Sequence, residues 1–519
     1  MRNQLALQTS AVFGGDNTVG DEVTHSGLWN RFSYSLGQYH FETDGFRDKN
    51  GIKRDIYNAF IQASVSPETS AQVELRHSDT EEEDRAFRFF PQQFNPERRS
   101  SREIDTARVG FHHAFNPNSQ VIGSFIFSDV IGKFRDPETV TDRRTDQSGN
   151  MVDVTLQAPL EGRLEEDAFV AEGQHLFRSE LVNLTSGFGY FTTTQREITV
   201  TIFSPPATPE EVALFPPGTF DPIVSRDNND IERGNIYSYS QIMFPRSLTL
   251  TLGASADFYE ADGEAHNQIN PKLGVTWSPV PDTTFRAAWF RVLEPGQNTV
   301  QTIEPTQVAG FNQLFGSTFE QDFVGAFFPG IDVWRFGGGL DQVIGRNAFT
   351  GIEYSERDLT VPGIGFKEEW DEYLGRAYFY WTPLDTVALS GEYQFERLER
   401  GATLGAGTGV RTVETHRVPL GINLFHSSGI RFGVIASYVD QRGRFVPRLF
   451  SDSPPGEIGA DDFWIINAEV GYRLPYRYGV ISLGIQNLLD EDFNFQETDP
   501  SQPTLQRDRL FLARLTLSF

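Results

Sequence analysis

The chain has 519 residues, with 44 Lys and Arg against 71 Asp and Glu, a formal net charge of −27 that argues against nucleic acid as a partner. It contains no Cys, so neither disulfides nor thiolate metal sites are available. No run approaches the roughly 18 apolar residues of a membrane-spanning helix. Yet 13% of residues are aromatic while the mean hydropathy is −0.38, a combination expected of strands that place only every second residue in lipid.

Met1-Arg2-Asn3 leads straight into Leu5-Ala6-Leu7, without the apolar core of a secretory signal. If the protein is exported, this sequence is expected to be a mature form or part of a longer precursor. Residues 1–27 read as an amino-terminal segment, with a candidate strand at Gln4–Phe13, and residues 28–519 as one body of strands. Short joints rich in Pro, Asn, Asp, Ser and Gly recur at 66–70, 116–119, 177–179, 244–247, 278–282, 344–347, 382–385, 426–429 and 475–479. Each of these residue types favours turns for its own reason, so the series predicts hairpins. Between them lie longer connections at 46–54, 81–101, 136–164, 200–231, 263–268, 294–332, 362–368, 401–411, 447–461 and 494–506. Short turns at one rim and long loops at the other mark a transmembrane barrel.

The strands support this when divided by face. Thr284–Phe290 sets Phe285, Ala287 and Trp289 against Arg286, and Ile430–Tyr438 sets Phe432, Val434, Ala436 and Tyr438 against Arg431. Phe463–Arg473 sets Trp464, Ile466, Ala468, Val470 and Tyr472 against Glu469 and Arg473, and Val480–Gln486 sets Ile481, Leu483 and Ile485 against Ser482 and Gln486. A mid-strand charge facing hydrocarbon costs roughly 2–4 kcal/mol, so Arg286, Arg376, Arg431, Glu469, Arg473 and Arg514 are expected to line a wet lumen. A soluble sandwich is disfavoured because no helices or spare apolar strands exist to cover so many apolar faces. Trp277, Tyr380, Trp381, Tyr472, Tyr476 and Tyr478 gather at strand ends, as interfacial girdles do. About twenty strands run from Leu28 to Phe519, and closure needs an even number. The expected fold is therefore all-β: one large antiparallel transmembrane β-barrel of about 20–22 strands.

Chemistry-bearing residues are sparse. Nine His are scattered without the spacing of a metal site, and no Ser or acid–His constellation marks a hydrolase, so no metal, cofactor or catalytic residue is assigned. The acidic run Asp79–Asp84 reads first as a solvated loop and second as a cation-bridged contact with lipopolysaccharide phosphates. Beside it, Arg85, Arg88, Arg98 and Arg99 flank Phe87, Phe89, Phe90 and Phe94, either as a ligand grip or as packing over the barrel mouth. Segment 312–334 carries Phe315, Phe319, Phe323, Phe327, Phe328 and Trp334, and segment 200–231 carries Phe203, Phe215 and Phe220. Self-packing is the favoured reading there, with substrate contact the alternative. From these loops Phe87, Phe89, Phe90, Arg98, Phe315, Phe319, Phe323, Phe327 and Trp334 are the candidate ligand-binding residues. Gly337-Gly338-Gly339 lies in a strand, where a bulge or a close backbone approach is expected rather than a phosphate loop.

The closing stretch carries a resemblance. Gly484-Ile485-Gln486-Asn487-Leu488-Leu489-Asp490, then Phe493, then the strand Arg509–Phe519, resembles the carboxyl-terminal pattern of TonB-dependent outer-membrane receptors. Asn270-Pro271-Lys272-Leu273-Gly274-Val275 with Phe285-Arg286-Ala287-Ala288-Trp289 and Glu294-Pro295 looks like the mid-barrel hairpin of that family, and Ile303–Phe311 like the segment after it. The resemblance implies a barrel in a Gram-negative outer membrane, among lipid and lipopolysaccharide, with short periplasmic turns and long extracellular loops. It implies transport of a solute by loop capture and plug-gated passage. It also makes Phe511, Leu515, Leu517 and Phe519 a signal read by the barrel assembly machinery. The family carries an amino-terminal plug domain and a box that engages TonB, and here the chain begins almost at the wall; residues 1–27 would be a first strand or a remnant of plug or linker. TonB is expected as a partner only with a plug on a removed segment or a separate chain. The alternative is a structural sheath that houses or anchors another protein without ligand uptake; an enzyme is the least favoured reading.

Overall fold

The computed structural model describes residues 4–85, 87–91, 94–145, 151–206, 208–261, 264–294, 302–313, 330–363, 366–401, 410–445, 456–498 and 505–519. The strands are β1 (Gln4–Gly14), β2 (Val19–Trp29), β3 (Phe32–Thr43), β4 (Ile52–Ser64), β5 (Thr69–Glu83) and β6 (Arg99–Asn116). Next come β7 (Ser119–Thr145), β8 (Met151–Arg178), β9 (Val182–Thr201), β10 (Ile223–Ile242), β11 (Leu248–Ala261), β12 (Glu264–Val280) and β13 (Thr283–Glu294). A two-residue pair, β14 (Gln307–Val308) and β15 (Phe311–Asn312), stands apart from the wall. The wall resumes with β16 (Ile331–Ile344), β17 (Ala348–Gly363), β18 (Phe366–Leu384), β19 (Val387–Glu399) and β20 (Val410–Phe425). It ends with β21 (Ile430–Phe445), β22 (Glu457–Arg473), β23 (Gly479–Gln486) and β24 (Leu510–Ser518).

Twenty-two of these strands form one antiparallel sheet in which β1 pairs with both β2 and β24, so the sheet closes on itself. At the seam Gln8 faces Ser518 and Gly14 faces Leu512, and Leu7 and Phe519 exchange two backbone hydrogen bonds of 3.0 and 2.9 Å. Closure leaves no strand edge, the condition for a sheet to sit in hydrocarbon. No helix is long and apolar enough to cross a membrane among the described residues.

Alternation fixes which side meets which solvent. On β24, Phe511, Ala513, Leu515 and Leu517 share a face with Ile481, Leu483 and Ile485 of β23, while Arg514 lies opposite Ser482 on the other face. Phe511 and Phe519 are exposed, as are Leu36, Ile61, Leu75, Phe125, Phe127, Phe188 and Leu483 elsewhere on the outer face. The nine short joints all lie at one rim. A tenth turn there, Asn30-Arg31, uses a left-handed Asn30 (φ 52°), a conformation Asn tolerates.

Two differences from the sequence reading have clear causes. Residues 4–29 pair into the wall as β1 and β2, so a boundary at 27/28 cuts through β2. That strand escapes a hydropathy reading because its outward positions Asp21, His25 and Gly27 interrupt Val19, Val23 and Trp29. The 136–164 connection is not a loop, since β7 and β8 pair continuously up to Thr145↔Met151. There Val154, Leu156 and Ala158 alternate with polar residues and are buried, the first two with Phe215 in a cluster that also takes up Val152, Phe203, Leu214 and Phe220. Likewise β9 and β10 pair up to Thr201↔Ile223, which leaves the Phe203, Phe215 and Phe220 rings packed upon the wall. Trp334 is likewise on a strand, where it stacks on Trp289 with ring centroids 5.0 Å apart.

Replacing outward Phe125 with Arg is expected to lower barrel stability by about 2–4 kcal/mol in bilayer unfolding titrations. Asn423→Arg, on a lumen-facing position opposite Gly433, should cost far less; equal losses would contradict this division of faces. Deleting Phe519 should reduce the yield of inserted barrel more than its unfolding midpoint.

Candidate functional site

The inner wall is studded with ion pairs. Arg286 (β13) bonds Asp341 at 2.7 Å and Glu353 at 2.9 Å, and Tyr378 donates to Asp341 at 2.7 Å. Arg376 bonds Glu392 at 2.8 Å, and Tyr380 also donates to Glu392. Arg431 pairs with Glu469, and Arg108 with Glu74 at 3.1 Å. Arg473 and Arg514 stand on the same inward face. A charge ladder of this density is stable only where water reaches it or where partners are in contact.

Onto this wall folds the segment 302–313, which descends inside the barrel. It is held at its start by β8: Thr302 Oγ1 and the Ile303 amide donate to Glu172 at 2.6 and 3.0 Å, and Gln174 donates to the Ile303 carbonyl at 2.5 Å. Glu304 is gripped by β10, accepting from Tyr239 at 2.6 Å and from Asn235 at 2.9 Å. Gln313 donates to the Pro305 carbonyl at 2.6 Å, and Arg335 to the Asn312 carbonyl at 2.7 Å.

The tip of the segment is a two-residue hairpin turn. Ala309 and Gly310 both have positive φ, 48° and 88°, as a type I′ turn requires. This drives Val308 and Ala309 against Gly274 of β12, where an added Cβ would stand 2.8 Å from Val308 and 3.0 Å from Ala309. It also lays the Phe311 ring on Gly337, whose Cβ would collide with it. Arg286 and Arg335 stand 5.6 and 5.7 Å from the centre of that ring, a favourable arrangement of cations on a π-face. The glycines of β16 therefore mark a close approach; the pairing of β16 with both neighbours runs through them without a bulge.

A second loop system enters from the other side. Asp84, fully buried, is the hub of residues 84–98: its carboxylate accepts from the Asn95 amide at 2.7 Å and lies within 3.4 to 3.8 Å of Arg88, Arg47 and Arg98. Arg98 also reaches Asp136 at 3.8 Å. Phe89 stacks on Phe445 with centroids 4.3 Å apart and rings 8° from parallel, with Phe90 at its edge. Phe87 packs with Phe463, Ile465, Phe493 and Phe495. The β23–β24 connection joins it, since the Glu497 amide donates to the Phe87 carbonyl at 2.9 Å and Gln496 exchanges bonds with Gln441. Between the loops and the wall remain a cavity of about 570 Å³ beside the seam, reached by Arg85, Tyr39 and Arg514, and one of about 310 Å³ bounded by Arg108, His112, Glu172 and Thr302.

Of the candidate ligand residues, Phe87 and Phe89 are 4% and 3% exposed, so this chain's own side chains occupy their ring faces. Arg98 is committed to carboxylates, and Trp334 lies on the outer face. Phe315, Phe319, Phe323 and Phe327 lie outside the described residues. The acidic run splits: Asp79 and Glu81 point outward, whereas Asp84 is the buried hub. His77, Glu103 and Asp105 bring ligand-type atoms within 4.8 Å of one another on the exposed outer face, an adjacency made across strands and invisible to residue spacing. Sequence reading missed Glu172, Tyr239, Asn235 and Glu304; the usable signal was the pair of thin wall positions, Gly274 and Gly337.

The chain matches the family described as "TonB dependent receptor-like, beta-barrel" over residues 29–488. No curated protein matches it. Among solved structures, the ferric-catecholate import receptor Fiu of E. coli K12 superposes with a TM-score of 0.69 at 14% identity, covering 100% of this chain and 82% of that one. The copper transporter OprC gives 0.68 at 9%, over 100% and 81%. The siderophore receptor PiuA of Acinetobacter baumannii gives 0.67 at 12%, over 99% and 82%. At such identities the likeness speaks for the fold.

Burial holds the Glu304 carboxyl above its ordinary value of 4.5, against the pull of Lys272 and the Tyr239 bond. The docked segment thus binds a proton more readily than the released one. Docking should be favoured at low pH and weaken as pH rises from the ordinary value through the raised one. A spin label at Gln307→Cys, the sole thiol in the chain, should gain mobility across that interval and lose the pH response in a Glu304→Gln background. Gly337→Leu should release the label at every pH.

Proposed function

The chain belongs to the TonB-dependent-receptor-like β-barrel family, and from that premise we propose that it moves a solute across an outer membrane by capture at the long-loop rim and gated passage through the lumen. The family consists of transporters and receptors, and a transport barrel is what the wall builds: a closed 22-stranded sheet too wide for its own inward side chains to fill. The observation that carries the reading is the segment 302–313, a polar, wall-latched element inside that lumen.

Arg286, Arg376, Arg431, Glu469, Arg473 and Arg514 would line the path or hold a plug. Capture falls to the long-loop rim, where residues 84–98 and the β23–β24 connection close one side of the mouth. A plug, carried on another part of the parent polypeptide or on a separate chain, would complete the gate and be the part on which TonB acts. Fiu is a ferric-catecholate receptor and OprC a copper transporter; a metal ion or its chelate is accordingly the first solute class to test. Outer-leaflet lipid and lipopolysaccharide surround the wall, and Phe519 with Phe511, Leu515 and Leu517 would present the assembly signal.

Uptake of a ferric or cupric chelate by cells carrying the protein in its full natural context should stop when the proton gradient is collapsed. Uptake that persists without energy, or a lumen found filled by another protein with no ligand bound, would favour a passive channel or a sheath. In planar bilayers, replacing residues 302–313 with a short Gly-Ser link should raise conductance several-fold. An unchanged conductance would mean that the segment does not narrow the path.

A further inference from the structure

The cavity of about 570 Å³ inside the seam lies apart from segment 302–313, which is held by β8 and β10. Its sides are inward positions of β1, β2, β3 and β24, and its upper end is lined by Phe46, Phe87 and Leu505, members of the aromatic loop cluster. Space remains there because the wall gives it short side chains: Ser10 and Val12 on β1, Gly20 on β2 and Thr516 on β24. A partly enclosed space of this size, apolar at one end with a few convergent polar groups, has the form of a small-molecule pocket, for which about 300–1,000 Å³ is usual.

Three arginines converge on it. Arg514 and Arg54 stand on one cross-strand row of inward positions, which runs Arg514, Val12, Gly20, Phe41, Arg54. Arg85 reaches the same cavity from the loop after β5. Burial holds the Arg85 guanidinium below its ordinary value; Glu82 pulls the other way, and the charge of Arg54 adds to the lowering. Arg54 donates to Thr80 at 3.3 Å, and among the described residues none of the three arginines has a carboxylate in ion-pair contact. By contrast Arg286, Arg376 and Arg431 each hold one. On a chain with 71 acidic and 44 basic residues, three arginines left so in one place point to an anion from outside the chain.

The surroundings favour the same charge. Tyr39 lies on the next inward row, after Thr516, Ser10 and Glu22, and its hydroxyl has no partner among the described residues. Glu22 is the carboxylate that faces inward from the wall here, and it accepts from Ser10 at 3.4 Å. Asp16 stands exposed on the β1–β2 turn, and Asp21 points outward opposite His40.

We propose that this cavity binds a small organic anion with an apolar body, its carboxylate-type head among Arg54, Arg85 and Arg514 with the Tyr39 hydroxyl as a further donor, and its body beneath Phe46, Phe87 and Leu505. The two ends of the cavity select this class. A guanidinium pairs with a planar oxyanion through two parallel bonds, which a neutral ligand cannot accept with charge. A bare inorganic anion leaves the apolar end in water. The inference goes beyond the transport reading: it shares Arg514 with the proposed path, but binding is read on the folded barrel without uptake, so either can fail alone.

The test is equilibrium dialysis of the folded barrel in amphipol against 2-naphthoate, 2-naphthylmethanol or acetate. Naphthoate should be held saturably, one per barrel. Its affinity should fall on the order of tenfold or more in Arg54→Gln with Arg85→Gln and in Arg514→Gln, and less in Tyr39→Phe. It should be unchanged in Arg442→Gln, whose side chain bonds Glu414 on the outer face. All variants are compared as heat-modifiable, folded barrels. Naphthylmethanol or acetate held as tightly as naphthoate, equal naphthoate affinity in every variant, or no saturable naphthoate binding would each overturn the assignment.

Discussion

The structure depends on one constraint: in hydrocarbon, a backbone amide or carbonyl has no partner but another strand. Closure of the sheet between β1 and β24 satisfies it, and the other features follow. Because the last strand needs a partner, the first wall strand, Gln4–Gly14, pairs with it. Because the ladder is continuous, alternate side chains are committed to opposite solvents, and Arg286, Arg376 and Arg431 can be charged only because Phe285, Ala377 and Phe432 take the other side. The terminal residue is part of this closure through its two bonds to Leu7. An aromatic side chain there suits the boundary level, where Tyr478 stands 6.1 Å away, ring centre to ring centre.

A sheet that closes over twenty-two strands creates a second problem, since its own inward side chains leave the interior open. The chain fills it with loops, in two physically different ways. Residues 87–91 and 491–498 are fixed by Phe87, Phe89, Phe445, Phe463 and Phe493; truncating one such buried ring costs about 3–5 kcal/mol. The segment 302–313 combines hydrogen bonds with Glu172, Gln174, Asn235 and Tyr239, each of net worth about 0.5–1.5 kcal/mol because water can replace it, with burial of Val308 and Phe311 against Tyr237, Tyr239 and Phe290. Its Ala309 adds a left-handed backbone that costs roughly 1–2 kcal/mol.

Most of the wall was legible because the sequence period is that of the strand. Outward Phe125 and Phe127, or Ile481, Leu483 and Ile485, announce themselves against polar neighbours, and turn residues punctuate them. Legibility failed where the solvent changes. Above the lipid band the apolar positions Val154, Leu156 and Ala158 are buried under a loop rather than facing lipid, so Asp136–Leu164 reads as a loop although it pairs up to Thr145↔Met151. In β2 the outward Asp21 and His25 interrupt the apolar alternation. The lumen contacts were hidden for another reason: Glu172 and Ile303, or Asn235 and Glu304, meet only when a loop folds back upon strands far away in the chain. Gly274 and Gly337 were the trace of that meeting, since a Cβ at either would run into Val308, Ala309 or Phe311.

The contrast between the two loop systems bears on which part can move. An element that gates a path must open at a cost well below that of unfolding the barrel. The aromatic loops fail this condition, because lifting Phe87 and Phe89 exposes rings that Phe445, Phe463 and Phe493 now cover. The hairpin at Ala309-Gly310 has more to offset its release: its hydrogen-bond partners on β8 and β10 are polar groups that water satisfies when the segment leaves, and Arg286 and Arg335 keep Asp341, Glu353 and Ser355, while Val308 and Phe311 give up their burial against Tyr237, Tyr239 and Phe290. The lumen thus has one side packed by aromatic loops and, facing it, a short segment held in good part by polar bonds; under the proposed gated passage the second is the part that would move.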